Sequence, residues 1–145
     1  MSTIFTIGSA GKSAREFFAQ LKQAGVRKVV DVRLYNTSQL AGFTKREDLE
    51  YFTRTIVGAG YLHLPMMAPT AQLLDGYKKG LISWQEYEVK FKAIIAGRQI
   101  EKCILPQDLD GACFLCCEAK ADKCHRRLVA EYLAGCWRDI SICHL

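Results

Sequence analysis

The chain reads as an α/β protein with a mainly parallel sheet and helices on both faces. Three observations point there. Short β-branched and aromatic runs alternate with amphipathic helical stretches along the whole length. Glycines and prolines punctuate nearly every junction. The 145 residues, half of them apolar, suit a single domain spanning 1–145, with no repeat, low-complexity tract or linker.

The first strand is Thr3-Ile-Phe-Thr-Ile7, closed by Gly8. Ser13 and Glu16 then stand at capping-box spacing. Phe17, Phe18 and Leu21 give the following helix its apolar face, and Gly25 stops it. Lys28-Val-Val-Asp-Val32 predicts a second strand, with Asp31 between two valines and Arg33 at its end. A loop from Leu34 to Thr44 leads to a helix over 45–57, ended by Gly58 and Gly60. Tyr61-Leu-His-Leu64 is a third strand before Pro65. The stretch 71–97 predicts two helical pieces broken near Gly80. Within it Trp84, Tyr87, Phe91 and Ile94 recur at three- or four-residue steps, most simply as core. Ala112 to Cys117 is a fourth strand, Cys124 to Ala134 a helix, and Ile140-Ser-Ile-Cys143 a last strand.

Charge and cysteines narrow the function. The net charge of +5 fits an anionic small molecule, a nucleic acid or nothing in particular. Basic residues run only in pairs, so nucleic acid is the weaker expectation. No apolar run approaches the roughly 18 residues of a membrane span. The N-terminal residues lack a signal peptide's apolar core, so a cytoplasmic protein with mostly reduced thiols is expected. The odd count of seven cysteines opposes a complete disulfide framework. Cys113, Cys136 and Cys143 lie in apolar patterns and are expected in the core.

Ligands of open α/β sheets bind beyond the carboxyl ends of the strands. Four loops should share that rim: 9–12, 33–42, 65–69 and 118–126. The first, Gly8-Ser-Ala-Gly11-Lys12-Ser13, is no P-loop, because Thr6 stands where the motif needs its first glycine. It still offers a helix N-terminus to an anion, with Ser9 at the turn, unless it is simply a tight turn before a capped helix. Asp31 and Arg33 flank Val32 and are expected on opposite sides of the strand. A carboxylate within an apolar strand is costly unless paired, so Asp31 is either a structural partner or a catalytic or ligand-orienting group.

The densest chemistry lies in Cys116-Cys117-Glu118 through Cys124-His125-Arg126-Arg127. The spacing of these thiols departs from the close pairs of structural zinc sites, and no metal is expected. Arg126 and Arg127 lie too far from Cys117 for a phosphatase cradle. Cys124, at a helix start beside cations, is a candidate thiolate or a buried cap-region residue. His125, Arg126 and Glu118 suit acid/base work and anion holding. The plainer alternative is a Glu118–Arg126 salt bridge tying loop to helix.

Several of these segments together resemble the DUF488 family, small bacterial and archaeal proteins named for lacking an assigned function. They are Thr6-Ile-Gly8, Val30-Asp31-Val32-Arg33 with its Ser38 loop, Tyr61-Leu-His63-Leu-Pro65, and Leu115-Cys116-Cys117-Glu118 with Cys124-His125-Arg126. Many members carry His or Tyr where this chain has Ser9, and Leu-Gly-Gly near its Met66-Met67-Ala68-Pro69. The resemblance implies a compact α/β domain and one site built from Asp31, Arg33, Glu118, Cys124, His125 and Arg126. It implies no established reaction, and the cofactor is left open.

The expected function is an enzyme acting on a phosphorylated or nucleotide-like substrate. Asp31, Glu118, Cys124 and His125 are its catalytic candidates, and Ser9, Arg33 and Arg126 its anion-binding candidates. The alternatives are a nucleotide- or nucleic-acid-binding regulatory module, and a cysteine-based metal or redox protein.

Overall fold

A computed structural model describes residues 2–145. Its centre is one five-stranded sheet in the order β3-β2-β4-β1-β5, and every neighbouring pair is parallel. The strands are β1 (Ser2–Gly8), β2 (Lys28–Asp31), β3 (Gly60–His63), β4 (Ala112–Cys116) and β5 (Ile140–His144). The helices are α1 (Ala14–Gln23), α2 (Arg46–Phe52), α3 (Ala71–Lys78), α4 (Trp84–Arg98), α5 (Ile100–Cys103) and α6 (His125–Cys136). The expected helix over 45–57 begins as α2 and continues as a π-helical turn over Thr53–Val57, closed by Gly58 at φ 72°.

Parallel strands need crossover helices, and these cover both faces. On one face Phe17, Phe18 and Leu21 of α1 and Leu49 of α2 pack on Ile7, Val29, Cys113 and Leu115. On the other, Tyr87, Phe91 and Ile95 of α4 and Leu128, Val129 and Leu133 of α6 pack on Ile4, Val30, Phe114 and Cys116. Helix starts follow the capping signals. The Ser13, Thr70 and Ser83 hydroxyls each accept a main-chain N–H three residues on.

Two core expectations need correction. Cys113 is buried, but Cys136 and Cys143 are exposed. Cys136 closes the last turn of α6, and Cys143 lies on β5, an edge strand. The α4 stripe also splits: Tyr87, Phe91 and Ile95 are buried, while Ile94 and Trp84 are only partly covered. Among the described residues no helix is long and apolar enough to cross a membrane.

The strand order determines where a crevice opens. The chain leaves β2 outward to β3 through α2, on one face, and leaves β4 toward β5 through α6, on the other. β2 and β4 are neighbours, so their departing loops part above them. Such a switch point is where α/β sheets hold ligands.

Candidate functional site

The loop after β2 is built on Asp31, which is fully buried. Side chains two residues apart on a strand share a face. Arg33 therefore stands on the same side as Asp31 and folds back onto it, contrary to the expectation of opposite sides. Its Nε donates to Asp31 Oδ1 and its Nη2 to Oδ2, each at 2.8 Å. Oδ2 also accepts from the Tyr61 hydroxyl at 2.7 Å and Asn36 Nδ2 at 3.2 Å. Arg33 Nη2 reaches the Thr44 carbonyl as well, at 2.8 Å. Burial alone would raise the Asp31 pKa, but the hydrogen bonds and charge of Arg33, with Tyr61, outweigh it and lower it. The pair pins the loop over 33–44 to the sheet.

The loop after β4 is organised by Arg126, 1% exposed on α6. Its Nη1 donates to Cys116 Sγ at 3.0 Å and to the Glu118 main-chain carbonyl. Nη2 takes the Ala119 carbonyl at 3.3 Å, and Nε the Thr6 hydroxyl at 3.4 Å. The guanidinium thus holds Glu118 by its carbonyl rather than by its carboxylate, which stays exposed. Burial lowers the Arg126 pKa, against the opposing pull of Cys113, Glu118 and Asp122. Gly8 makes this approach possible. A Cβ there would overlap the Glu118 carbonyl and the Arg126 guanidinium.

His125 joins the two loops. Its Nε2 lies 2.6 Å from the Val32 carbonyl, which can only accept, so Nε2 carries the proton. Burial, then the charge of Arg126, lowers its pKa to about 4 against the Val32 bond and Asp31, leaving a neutral imidazole at neutral pH. Cys124 is the N-cap residue of α6, at the helix start where the sequence placed it. Its sulfur lies against that of Cys116, but the two Cα atoms stand 7.6 Å apart, wider than a disulfide spans.

Between these loops lies a cleft. One wall carries Arg33, Leu34 and Tyr35; the floor and second wall carry Cys116, Cys117, Glu118, Lys123, Cys124 and His125. Closing it are Pro69, Leu74, Tyr77 and Lys78, with Trp84 and Tyr87, which sequence periodicity assigned to the core. The rings form a continuous slab. Trp84 stacks on Tyr87 at 5.2 Å between centroids and 21° between planes, and Tyr77 meets Trp84 at 5.7 Å.

Of the candidate residues, Arg33, Glu118, Cys124 and His125 line this cleft. Asp31 stands behind Arg33. The loop of Ser9 runs on the far side of β4, where Ser9 N and Ala10 N bond the Cys116 and Cys117 carbonyls. Of the four loops expected on one rim, those after β2, β3 and β4 line the cleft and that after β1 buttresses it.

The family model described as Domain of unknown function DUF488 matches residues 13–133. The chain belongs to that family. No curated protein matches it, and neither does any solved structure.

Proposed function

We propose that this DUF488 domain is an enzyme that takes a nucleotide-like substrate, a planar ring bearing a phosphate, into the cleft above β2 and β4. One observation carries the reading: an aromatic slab and two lysines face the edge that holds Glu118 and His125. A flat base gains on the order of 1–3 kcal/mol by stacking on such a ring. Lys78 and Lys123 are exposed at the same cleft and supply mobile charge for a phosphate.

Arg33 and Arg126 take a different part in this reading from the anion binding expected of them. Their donors are spent on Asp31, Thr44, Cys116 and main-chain carbonyls. They hold the cleft's two walls in place. Asp31 likewise positions Arg33 rather than meeting substrate. Glu118 is the carboxylate among the cleft-lining residues and serves as the acid/base group. His125, neutral and protonated on Nε2, keeps Nδ1 as an acceptor beside it.

Trp84 fluorescence tests the binding step. Adenosine and guanosine monophosphates should quench it, the bare nucleosides more weakly, and Trp84→Phe should remove the signal while leaving that of Trp137. Lys78→Ala with Lys123→Ala should weaken monophosphate binding by about tenfold or more, since a hydrogen bond to a charged group contributes roughly 1.5–3 kcal/mol. Glu118→Gln should retain binding and lose turnover. Absence of any quench at millimolar nucleotide would sink the reading.

A further inference from the structure

Cys116 ends β4 and Cys124 caps α6, and both belong to the cleft wall. The nucleotide reading makes no use of their sulfurs. Three features set the pair apart from two ordinary core thiols. First, the sulfurs lie against each other while the Cα atoms stand 7.6 Å apart. A disulfide holds its Cα atoms at roughly 4.4–6.8 Å. An ion between two sulfurs puts two metal–sulfur bonds of about 2.3 Å where a disulfide has one bond of about 2.0 Å, and so suits a wider backbone. Second, Arg126 Nη1 donates to Cys116 Sγ at 3.0 Å, and the other acceptors of this guanidinium are carbonyls and a hydroxyl. A buried cation without an acid partner favours a negatively charged occupant beside it. Third, the cleft reaches both residues although each is only 2% exposed, which gives an ion a way in and a site nearly free of water.

We propose that Cys116 and Cys124 form a two-thiolate site for a soft monovalent cation, Cu(I) above all. Thiolates select soft ions. Zinc takes four ligands in a closed protein site, and among the described residues no group of three or more histidine, cysteine, aspartate or glutamate side chains is placed to hold a metal. Cu(I) binds two sulfurs in a near-linear array. The charges then balance. Two thiolates and one Cu(I) sum to a single negative charge, and Arg126 supplies the positive one. As the ion binds, each thiol releases its proton to solvent, two copper–sulfur bonds form, and the metal keeps its oxidation state. The side chains turn about their Cα–Cβ bonds to admit it, with the backbone already spaced for the purpose. Cys124 is thus a ligand rather than a nucleophile toward a phosphorylated substrate. Arg126 is a positioning residue, which touches the Cys116 sulfur and not the ion. The bound ion ties β4 to the start of α6 and so fixes the segment 117–123, which carries Glu118 and Lys123. The inference stands independently of nucleotide binding.

The test titrates the reduced, intact protein with Cu(I) under anaerobic conditions, in competition with a chromogenic Cu(I) chelator. One ion per chain should be retained, with a thiolate-to-copper charge-transfer band in the ultraviolet. Cys116→Ser and Cys124→Ser should each remove the band. Serine at the exposed Cys103, Cys136 and Cys143 together should leave it. X-ray absorption at the copper edge of the unmodified protein should count two sulfur neighbours, and this measurement needs no variant to fold. Arg126→Met should weaken retention by about tenfold to a hundredfold, the range for partners that orient a metal ligand. It should also raise the pH needed for half-occupancy, and Arg126→Lys, which keeps the charge, should restore much of both. Failure to retain copper against the chelator, a band that survives loss of either cysteine, a copper ion with three or more protein ligands, or equal retention of zinc would overturn the proposal.

Discussion

Two arginines, Arg33 and Arg126, each hold one loop at the rim of the sheet, and they do so in opposite ways. Arg33 meets a carboxylate in a two-pronged pair, and its pKa is raised, by the hydrogen bonds and charge of Asp31 against the effect of burial. Arg126 meets carbonyls, a hydroxyl and a sulfur, all neutral, and burial lowers its pKa. One wall of the cleft is therefore electrically closed. The other keeps an uncompensated positive charge beside the sulfur pair. The difference teaches that buried arginines of similar exposure can serve as a rivet or as a standing field, depending on what accepts their hydrogen bonds.

The comparison can be broken first at its closed side. Asp31→Asn should cost about 3–5 kcal/mol, read by chemical denaturation, because it strands the buried Arg33 charge. Arg126→Met should cost less, about 1–3 kcal/mol, by leaving the Glu118 and Ala119 carbonyls without their donor while removing a charge that was never neutralised. If Arg126→Met proved the more damaging, the contrast between rivet and field would fall.

Acid sharpens the same contrast. The depressed Asp31 pKa means that its contribution is whole above the ordinary carboxylate pKa, near 4, and is lost only as pH falls toward its lower folded value. His125 acts earlier. Its folded pKa of about 4 lies below the unfolded value near 6.5, so the unfolded chain binds the proton first. Stability should decline as pH falls from 6.5 to 4, and His125→Asn should flatten that slope in denaturation midpoints taken across the range. The smallest effect belongs to Glu118→Gln. Arg126 grips the main-chain carbonyl, so stability should change by less than about 0.5 kcal/mol. A larger loss would show that the carboxylate is the loop's anchor.

The architecture was legible because its signals are local. Short apolar runs, β-branched in β1, β2 and β5, placed all five strands, and Ser13 marked the start of α1 through its own hydroxyl. The cleft was harder. Trp84 and Tyr87 repeat at helical spacing whether they face core or crevice, so periodicity could not separate the inner part of the α4 stripe from its open end. Lys78 and Lys123 look like any solvated lysine until the strand order brings their loops together. The rule that alternate strand residues share a face would have paired Asp31 with Arg33 from the sequence alone. The meeting of the Cys116 and Cys124 sulfurs depends on the path of the chain over the intervening loop, which composition does not record.

The order β3-β2-β4-β1-β5 has one more consequence. β4 is the middle strand, yet it comes fourth in the chain, and β1 and β2 touch each other only through it. During synthesis, the first hundred residues leave the ribosome with β2 and β3 able to pair, but with β1 lacking any partner and the β2 edge bare. Such long-range parallel pairing is slow to form and vulnerable to aggregation while it waits. β1 can join the β2–β3 pair only after Cys116 has emerged, so the strand that leads into the cleft is also the one that unites the sheet.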